Sequence, residues 1–128
     1  MNEAKQILIK YLSAWKKKDF NLMYEYCQKT WQYNNAIKGK KWLKDIFEQW
    51  QIKNYEITKE NKISEVMIDF EIQIHSKFIL KGTKKPLNKK QIITTRLIKE
   101  LAPYKPDEKG GWGINPISQL RTERENAE

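Results

Sequence analysis

The spacing of apolar residues changes near Trp50, from the period of a helix to the period of a strand. Before Trp50, apolar residues recur every three or four positions, whereas along 64–75, SEVMIDFEIQIH, they alternate with polar ones. The first spacing gives a helix one apolar face, and the second gives a strand one apolar face. Helices followed by one-sided strands are typical of an α+β domain. The sequence therefore predicts three N-terminal helices packed on a curved antiparallel sheet of about four strands.

The first two predicted helices meet at Asp19. Its carboxylate can accept a hydrogen bond from the free amides of the next turn, which makes it a suitable N-cap. A third helix is expected from Lys41 to Gln51, after a connection marked by Asn34-Asn35 and Gly39. The apolar faces are Ala4, Leu8, Tyr11, Leu12 and Trp15 in the first helix, Phe20, Met23, Tyr24, Cys27 and Trp31 in the second, and Leu43, Ile46, Phe47 and Trp50 in the third.

The strands are separated by turn and loop signals. The Asn61-Lys62 pair predicts a turn, Gly82 to Lys90 a loop, and Pro103, Pro106 and Gly110-Gly111 a second loop. The predicted strands are Ile52 to Lys59, 64–75, Gln91 to Leu101 and Trp112 to Ile117. In the second strand, Val66, Ile68, Phe70, Ile72 and Ile74 are expected to face the core, and Met67, Asp69, Glu71, Gln73 and His75 to face water.

The strand from Gln91 to Leu101 has no clean polar face. Arg96 shares its more polar face with isoleucine and threonine, an arrangement that fits two kinds of surface. Such a face could line a cavity that holds an anion, or it could be the outer surface of the sheet with an ordinary exposed cation. The more apolar face consists of Ile93, Thr95, Leu97 and Leu101.

A chain of 128 residues with 39% hydrophobic content is long enough to bury one core without disulfides. We expect one domain over 1–118 and a polar tail over 119–128. The sequence contains neither a signal-peptide core nor about 18 consecutive apolar residues, so no membrane span is predicted. A cytoplasmic location is expected if the chain is complete, and the location stays open if it is an excised domain of an exported protein.

The chain carries a formal net charge of +9, from 25 basic and 16 acidic residues. Such a charge favours anionic partners, including nucleic acid and anionic surfaces. Lys77 to Lys99 contains eight basic residues and no acidic one, but arginine, which suits specific phosphate and base contacts, is scarce in the whole chain. We therefore expect weak, non-specific anion binding.

The residues that catalysis or metal binding would require are few. Cys27 and His75 are the only cysteine and histidine, so neither a metal site nor a cofactor is predicted. Asp69 and His75 lie on the polar strand face, and Asp19 is expected to cap a helix. No carboxylate falls on a predicted apolar face, where burial would bring its pKa toward neutrality. The sequence therefore favours a protein that is not an enzyme.

The order of elements resembles the nuclear transport factor 2-like superfamily, a cone of curved sheet around a long N-terminal helix. Two segments carry the resemblance: YLSAWKKKDFNLMYEYC, with an aromatic-ended helix and an Asp-aromatic pair, and Gly111 to Pro116, with a tryptophan near its start. The chain also resembles the accessory domain that precedes some penicillin-binding transpeptidases, and related lipoprotein and conjugation-apparatus domains. The superfamily contains isomerases, dehydratases, cyclases and non-enzymatic modules, so the resemblance implies a fold without fixing a function.

The resemblance and the residues together favour a non-catalytic binding or assembly module, which forms a monomer or a modest homodimer. One alternative is a small-molecule-binding or enzymatic cone with an aromatic-lined pocket, and another is a lysine-mediated binder of nucleic acid or anionic surfaces. A protein partner or a small apolar ligand would fit the first two functions. The candidates for lining a pocket are Tyr11, Trp15, Tyr24, Trp42, Phe70, Arg96 and Trp112.

Overall fold

The computed structural model describes residues 2–79 and 85–120, which form helices followed by an antiparallel sheet. The expected α+β cone fold is confirmed. The helices are α1 (Glu3–Lys16), α2 (Phe20–Glu25), α3 (Lys29–Asn34) and α4 (Gly39–Phe47). The strands are β1 (Trp50–Ser64), β2 (Met67–Phe78), β3 (Leu87–Ala102), β4 (Lys105–Pro106) and β5 (Gly111–Asn115), and a helical segment follows at 116–120.

Helix α1 begins and ends with identifiable hydrogen bonds. The side chain of Asn2 accepts a hydrogen bond from the amide of Ala4 at 2.9 Å, which caps the first turn. At the other end, the amide of Asp19 bonds to the carbonyl of Ala14, and the carboxylate of Asp19 accepts from the amide of Leu22 at 3.1 Å. The prediction that Asp19 caps the second helix is therefore confirmed.

The sheet has the order β1-β2-β3, and both β4 and β5 pair with β3. All pairs are antiparallel, and Phe70 in β2 lies opposite Thr95 in β3. The alternation predicted for β2 is confirmed from Ile68 to Ile74, because these side chains are buried and join the buried face of α1 in one core. Val66, also expected to face the core, lies in the turn before β2 and is only partly buried. The buried strand residues are Ile68, Phe70, Ile72 and Ile74 in β2 and Ile93, Thr95 and Leu97 in β3.

The second predicted helix is interrupted, and the prediction of one continuous helix there is wrong. Residues 26–28 leave the helix and run beside β5, so that Cys27 forms a parallel bridge with Ile114. The amide of Gln28 donates to the carbonyl of Ile114, and the amide of Ile114 donates to the carbonyl of Tyr26, both at 2.9 Å. These long-range bonds replace helical ones, although the apolar spacing continues through the break.

The predicted boundaries around β1 need correction. Helix α4 ends at Phe47 instead of Gln51, and Trp50 begins β1 while its ring stacks on Phe47 at 5.8 Å. Phe47 and Trp50 keep the three-residue spacing of a helix face, although Trp50 belongs to a strand. The apolar pattern alone therefore does not show where the helix ends. The Asn61-Lys62 pair lies inside β1, and the chain turns instead at residues 65–66.

The predicted loop from Gly82 to Lys90 also differs from the structure. Residues 82–84 lie outside the described part of the chain, and Leu87 to Lys90 belong to β3, paired with the end of β2. Near the other end of β3 the alternation breaks: Leu97 and Glu100, three positions apart, are both buried, and Leu101 is exposed, contrary to expectation. A register irregularity between Glu100 and Ala102 in the pairing with β4 lies beside this break.

The C-terminal region extends the packed core beyond the last strand. Strand β5 ends at Asn115, so the prediction of a strand up to Ile117 is wrong, and residues 116–120 are helical. Gln119 is fully buried and Leu120 packs against the core, although both belong to the expected polar tail over 119–128. Within the described part of the chain, no helix is long and apolar enough to span a membrane.

Candidate functional site

Three of the seven pocket candidates are fully enclosed by other side chains in the interior of the cone. Tyr11 on α1 donates a hydrogen bond from its hydroxyl to Gln119 at 2.8 Å. Trp15, one turn further on, donates from its indole to the carbonyl of Trp50 at 2.6 Å. Phe70 on β2 is likewise fully buried. Helix α1 and the sheet therefore meet through packed aromatic and aliphatic side chains.

Three further candidates lie at the margins of the core and are partly buried. Tyr24 donates from its hydroxyl to the carbonyl of Gln32 at 3.1 Å, and the ring of Trp42 lies 5.7 Å from that of Trp31. Trp112 in β5 lies under the ammonium group of Lys99, which is 5.6 Å from the ring centroid. The ring of Tyr24 lies 6.0 Å from that of Trp31, so Tyr24 and Trp42 both pack on this buried tryptophan at the edge of the core.

The seventh candidate, Arg96, lies on the opposite side of the sheet from the core. It neighbours the buried Thr95 and Leu97 in β3 and pairs with Asp69 of β2. Of the two interpretations of this strand face, the structure favours the outer surface. Three depressions on the described surface are lined by residues other than these seven candidates.

The interior contains a few polar atoms that have no hydrogen-bond partner among the described residues. They are the hydroxyl of Thr95, the indole nitrogen of Trp50 and the amide nitrogen of Gln119. A buried polar atom without a hydrogen-bond partner lowers the stability of the fold by about 1–3 kcal/mol. A bound water or polar ligand that formed hydrogen bonds with these atoms would therefore stabilise the fold. They are neutral hydroxyl, indole and amide groups, which neither accept nor release protons near neutral pH.

Two buried titratable groups of the core are held in their neutral forms. Burial raises the pKa of the Tyr11 hydroxyl well above its ordinary value, and the nearby Cys27 raises it further. Burial also raises the pKa of the Cys27 thiol, which donates to the carbonyl of Met23 at 3.4 Å. A thiol held in this way is a poor nucleophile, because the reactive form is the thiolate.

One carboxylate is buried, although the sequence pattern predicts none on an apolar face. Glu100 of β3 is 2% exposed and accepts hydrogen bonds from the amide of Thr30 at 3.1 Å, from the hydroxyl of Thr30 and from the side chain of Gln28 at 3.3 Å. All these donors come from the start of α3, whose N-cap residue makes no side-chain capping bond. Glu100 therefore serves as a distant cap for α3. No change of residue type marks the break in the alternation of β3 at which Glu100 becomes buried.

The outer face of the sheet is organised around an ion pair between neighbouring strands. Arg96 of β3 and Asp69 of β2 lie opposite each other in the register, and two guanidinium nitrogens donate to the two carboxylate oxygens at 2.8 and 2.9 Å. The hydrogen bond to Asp69 raises the pKa of Arg96, with burial acting in the other direction. Bidentate geometry makes this the most directional of the ion pairs on the described surface.

Apolar side chains flank this ion pair on the outer face. Met67 and Ile98 lie opposite each other at one end of the β2-β3 pair, and Ile92, which is 50% exposed, lies opposite Gln73. With the charges of Asp69 and Arg96 paired, this face presents a mixed apolar and polar surface. We call the surface formed by Met67, Asp69, Glu71, Gln73, Ile92, Thr94, Arg96 and Ile98 the outer sheet face.

Solved structures share the cone fold at low sequence identity. A ketosteroid isomerase-like protein from Erwinia carotovora atroseptica superposes with a TM-score of 0.60 at 15% identity and covers 88% of each chain. A SEC-C motif containing protein from Psychrobacter arcticus superposes with a TM-score of 0.59 at 12% identity. The alignment covers 91% of the present chain but only 61% of that protein.

An NTF-2 like protein of unknown function from Shewanella oneidensis has a TM-score of 0.50 at 13% identity, over 88% of this chain and 91% of that one. No protein-family model matches the sequence, and no curated protein is significantly similar to it. The likenesses therefore show the nuclear transport factor 2-like fold. The finer resemblance to the accessory domain of penicillin-binding transpeptidases remains a prediction.

Proposed function

We propose that this chain, which has the nuclear transport factor 2-like cone fold, is a non-catalytic binding or assembly module. Its contact surface in this proposal is the outer sheet face, and its partner is a second copy of the chain. The observation that carries the proposal is the packing of the interior, where a catalytic cone would hold its substrate.

The interior supports a non-catalytic role through the groups that fill it. Tyr11, Trp15 and Phe70 are buried against other side chains, with at most 1% of their surface exposed. Among the described residues, the buried titratable groups are Tyr11, Cys27 and Glu100. The pKa values of the first two are raised by burial, and Glu100 is occupied by hydrogen bonds from the start of α3. Two of the three groups are therefore held neutral, and the third is engaged as a hydrogen-bond acceptor.

The outer sheet face supports a binding role through its mixed chemistry. Burying an unpaired carboxylate against a partner would cost several kcal/mol, but Asp69 already has its cation in Arg96. Met67, Ile92 and Ile98 supply apolar surface, and its removal from water lowers the free energy of the contact. A contact of this composition is expected to be modest and partly hydrated.

A charge placed on this face tests the proposal. We expect the wild-type chain to associate reversibly in the micromolar range, as measured by sedimentation velocity over a concentration series. Ile92→Glu should weaken the association, because the new carboxylate would have to be desolvated in the contact. The matched control is Ile37→Glu, which introduces the same change at a side chain that is 94% exposed and lies in the loop before α4.

The proposal is contradicted if the chain is monomeric at every concentration, or if Ile37→Glu weakens association as much as Ile92→Glu. Far-ultraviolet circular dichroism of both variants shows whether each remains folded. Because Ile92 is half exposed in the monomer, its replacement should leave the fold intact.

A small-molecule-binding cone is the second candidate, and the unpartnered polar atoms of the interior favour it. The Thr95 hydroxyl and the Gln119 amide nitrogen could bond to a small polar ligand that enters between α1 and the sheet. Such a ligand should raise the unfolding temperature of the chain in a concentration-dependent way. Screening by thermal unfolding, with Thr95→Val as the control that removes one polar atom, distinguishes this candidate from the proposed module.

A further inference from the structure

A depression with a high density of positive charge lies between the α1–α2 turn and α4, away from the outer sheet face. It has a volume of about 440 Å³ and is open to solvent. Seven residues line it: Lys18, Asp19, Phe20, Asn21, Lys40, Lys41 and Lys44. We call it the lysine depression. Four of its seven residues are cations and one is an anion, in a chain whose net charge is +9.

Among the described residues, one of the four lysines of the lysine depression forms an ion pair. The carboxylate of Asp19 accepts a hydrogen bond from the amide of Leu22, and Lys41 pairs with Asp45 at 3.3 Å. Among the described residues, none of the remaining three lysines forms an ion pair: Lys18, Lys40 and Lys44. Their mutual repulsion would be relieved by an anion bound among them.

Local structure fixes the backbone of one of these lysines and the ammonium group of another. Lys18 has a positive φ of 61°, a conformation that glycine adopts at lower cost, and its amide bonds to the carbonyl of Trp15 at 3.0 Å. The ammonium group of Lys40 lies 5.4 Å from the ring centroid of Tyr24. A cation over an aromatic ring loses part of its freedom before any ligand arrives, which lowers the cost of binding.

We propose that the lysine depression binds a compact polyanion, such as the polyphosphate group of a small phosphorylated ligand. Lysine ammonium groups bind phosphate as point charges and do not need the planar, bidentate geometry of an arginine guanidinium. A depression lined by lysines and no arginine therefore suits this chemistry. A concave site of this size admits a short anion, whereas a nucleic-acid strand would need a longer basic track with bases stacked on aromatic rings. The proposal concerns a different surface from the proposed function, so either can fail without the other.

Tripolyphosphate is the probe that tests this site. Isothermal titration calorimetry at low ionic strength should give saturable binding at one site, which weakens as salt is added. The triple variant Lys18→Ala/Lys40→Ala/Lys44→Ala should bind about tenfold more weakly or worse, because each exposed charge pair contributes a few tenths to one kcal/mol. The matched control, Lys5→Ala/Lys10→Ala/Lys109→Ala, removes the same charge from three exposed lysines outside the depression.

The control variant should keep wild-type affinity within about twofold at moderate salt, where distant charges are screened. Equal weakening in both triple variants would overturn the proposal, because it would show a response to net charge alone. Absence of saturation would also overturn it. A single-stranded oligonucleotide that binds tightly at these lysines and is not displaced by tripolyphosphate would overturn it in favour of nucleic acid. Circular dichroism confirms that both variants are folded.

Discussion

The carboxylate of Glu100 accepts hydrogen bonds from both the amide and the hydroxyl of Thr30, although 70 positions separate these residues in the chain. Glu100 lies near the end of β3, and Thr30 lies in the first turn of α3. The same hydroxyl accepts from the amide of Tyr104 at 2.8 Å. These bonds connect the α3 region to the turn after β3, so α3 depends on the sheet for its N-terminal cap.

Removal of this carboxylate should destabilise the fold. Glu100→Ala leaves the donors of Thr30 and Gln28 without their buried acceptor, and we expect a loss of about 2–4 kcal/mol in the free energy of unfolding. Glu100→Gln keeps one acceptor oxygen, so it should lose less unfolding free energy than Glu100→Ala. Urea denaturation measures both, with Glu108→Ala as the control at an exposed glutamate. Equal stabilities for Glu100→Ala and Glu108→Ala would show that the network contributes nothing.

Two glycines of β5 provide a matched pair of substitutions. A Cβ atom on Gly113 would lie 2.4 Å from the Cα of Gln28, whereas a Cβ on Gly111 would meet nothing within 4 Å. Gly113→Ala should therefore force the β5 and Cys27–Gln28 segments apart and cost about 1–3 kcal/mol. Gly111→Ala should change stability little. Thermal unfolding of both variants checks this, and identical unfolding temperatures would disprove the close approach.

The core between the helices and the sheet should be sensitive at Phe70. This ring is fully buried, and Phe70→Ala should cost about 3–5 kcal/mol through lost burial and the cavity that remains. Ile63→Ala, at a side chain that is 55% exposed in β1, should cost less than about 1 kcal/mol. Chemical denaturation at neutral pH gives both values. Near-wild-type stability of Phe70→Ala would contradict the assignment of this face to the core.

Stability should fall in alkaline solution because of Cys27 and Tyr11. Their ordinary pKa values are 9.0 and 10.0, and burial raises both in the folded state. Above these values the unfolded chain releases protons that the folded chain retains, so the free energy of unfolding decreases with pH. The decrease approaches about 1.4 kcal/mol per pH unit for each group, and the stabilisation is fully present only below the ordinary pKa values.

Cys27→Ala isolates one of these contributions. Urea denaturation between about pH 8 and pH 11 should show a shallower loss of stability for this variant than for the wild-type chain, because the variant has no thiol to titrate. Lysine deprotonation affects both proteins alike. Parallel curves for the two proteins would show that the thiol is accessible to solvent in the folded chain.

The parts of the fold that could be predicted from the sequence depend on local spacing. Asp19 caps α2 as expected, because capping requires only a carboxylate beside the first turn. The buried face of β2 follows from strict alternation over Ile68 to Ile74, which fixes one side of a strand. The cone fold itself was anticipated from the order of these elements.

The parts that could not be predicted depend on contacts between distant segments. The break at Cys27 arises from pairing with Ile114, and the apolar spacing continues through it. Glu100 is buried where the alternation of β3 breaks after Leu97, and its partners Gln28 and Thr30 lie 72 and 70 positions away in the chain. The partner of Arg96 was also undetermined, because one arginine on a mixed face fits a cavity or a surface equally well until its neighbouring strand is known.

An amide-resolved NMR dilution series tests the central claim most directly, namely that the chain binds through its outer sheet face around a packed interior. The account predicts that increasing protein concentration shifts the amide signals of Asp69, Thr94 and Arg96, while those of Tyr11 and Trp15 on α1 stay unchanged. Concentration-independent signals on the outer sheet face, together with shifts at Tyr11 and Trp15 when a small polar ligand is added, would contradict the account and establish a ligand-binding cone.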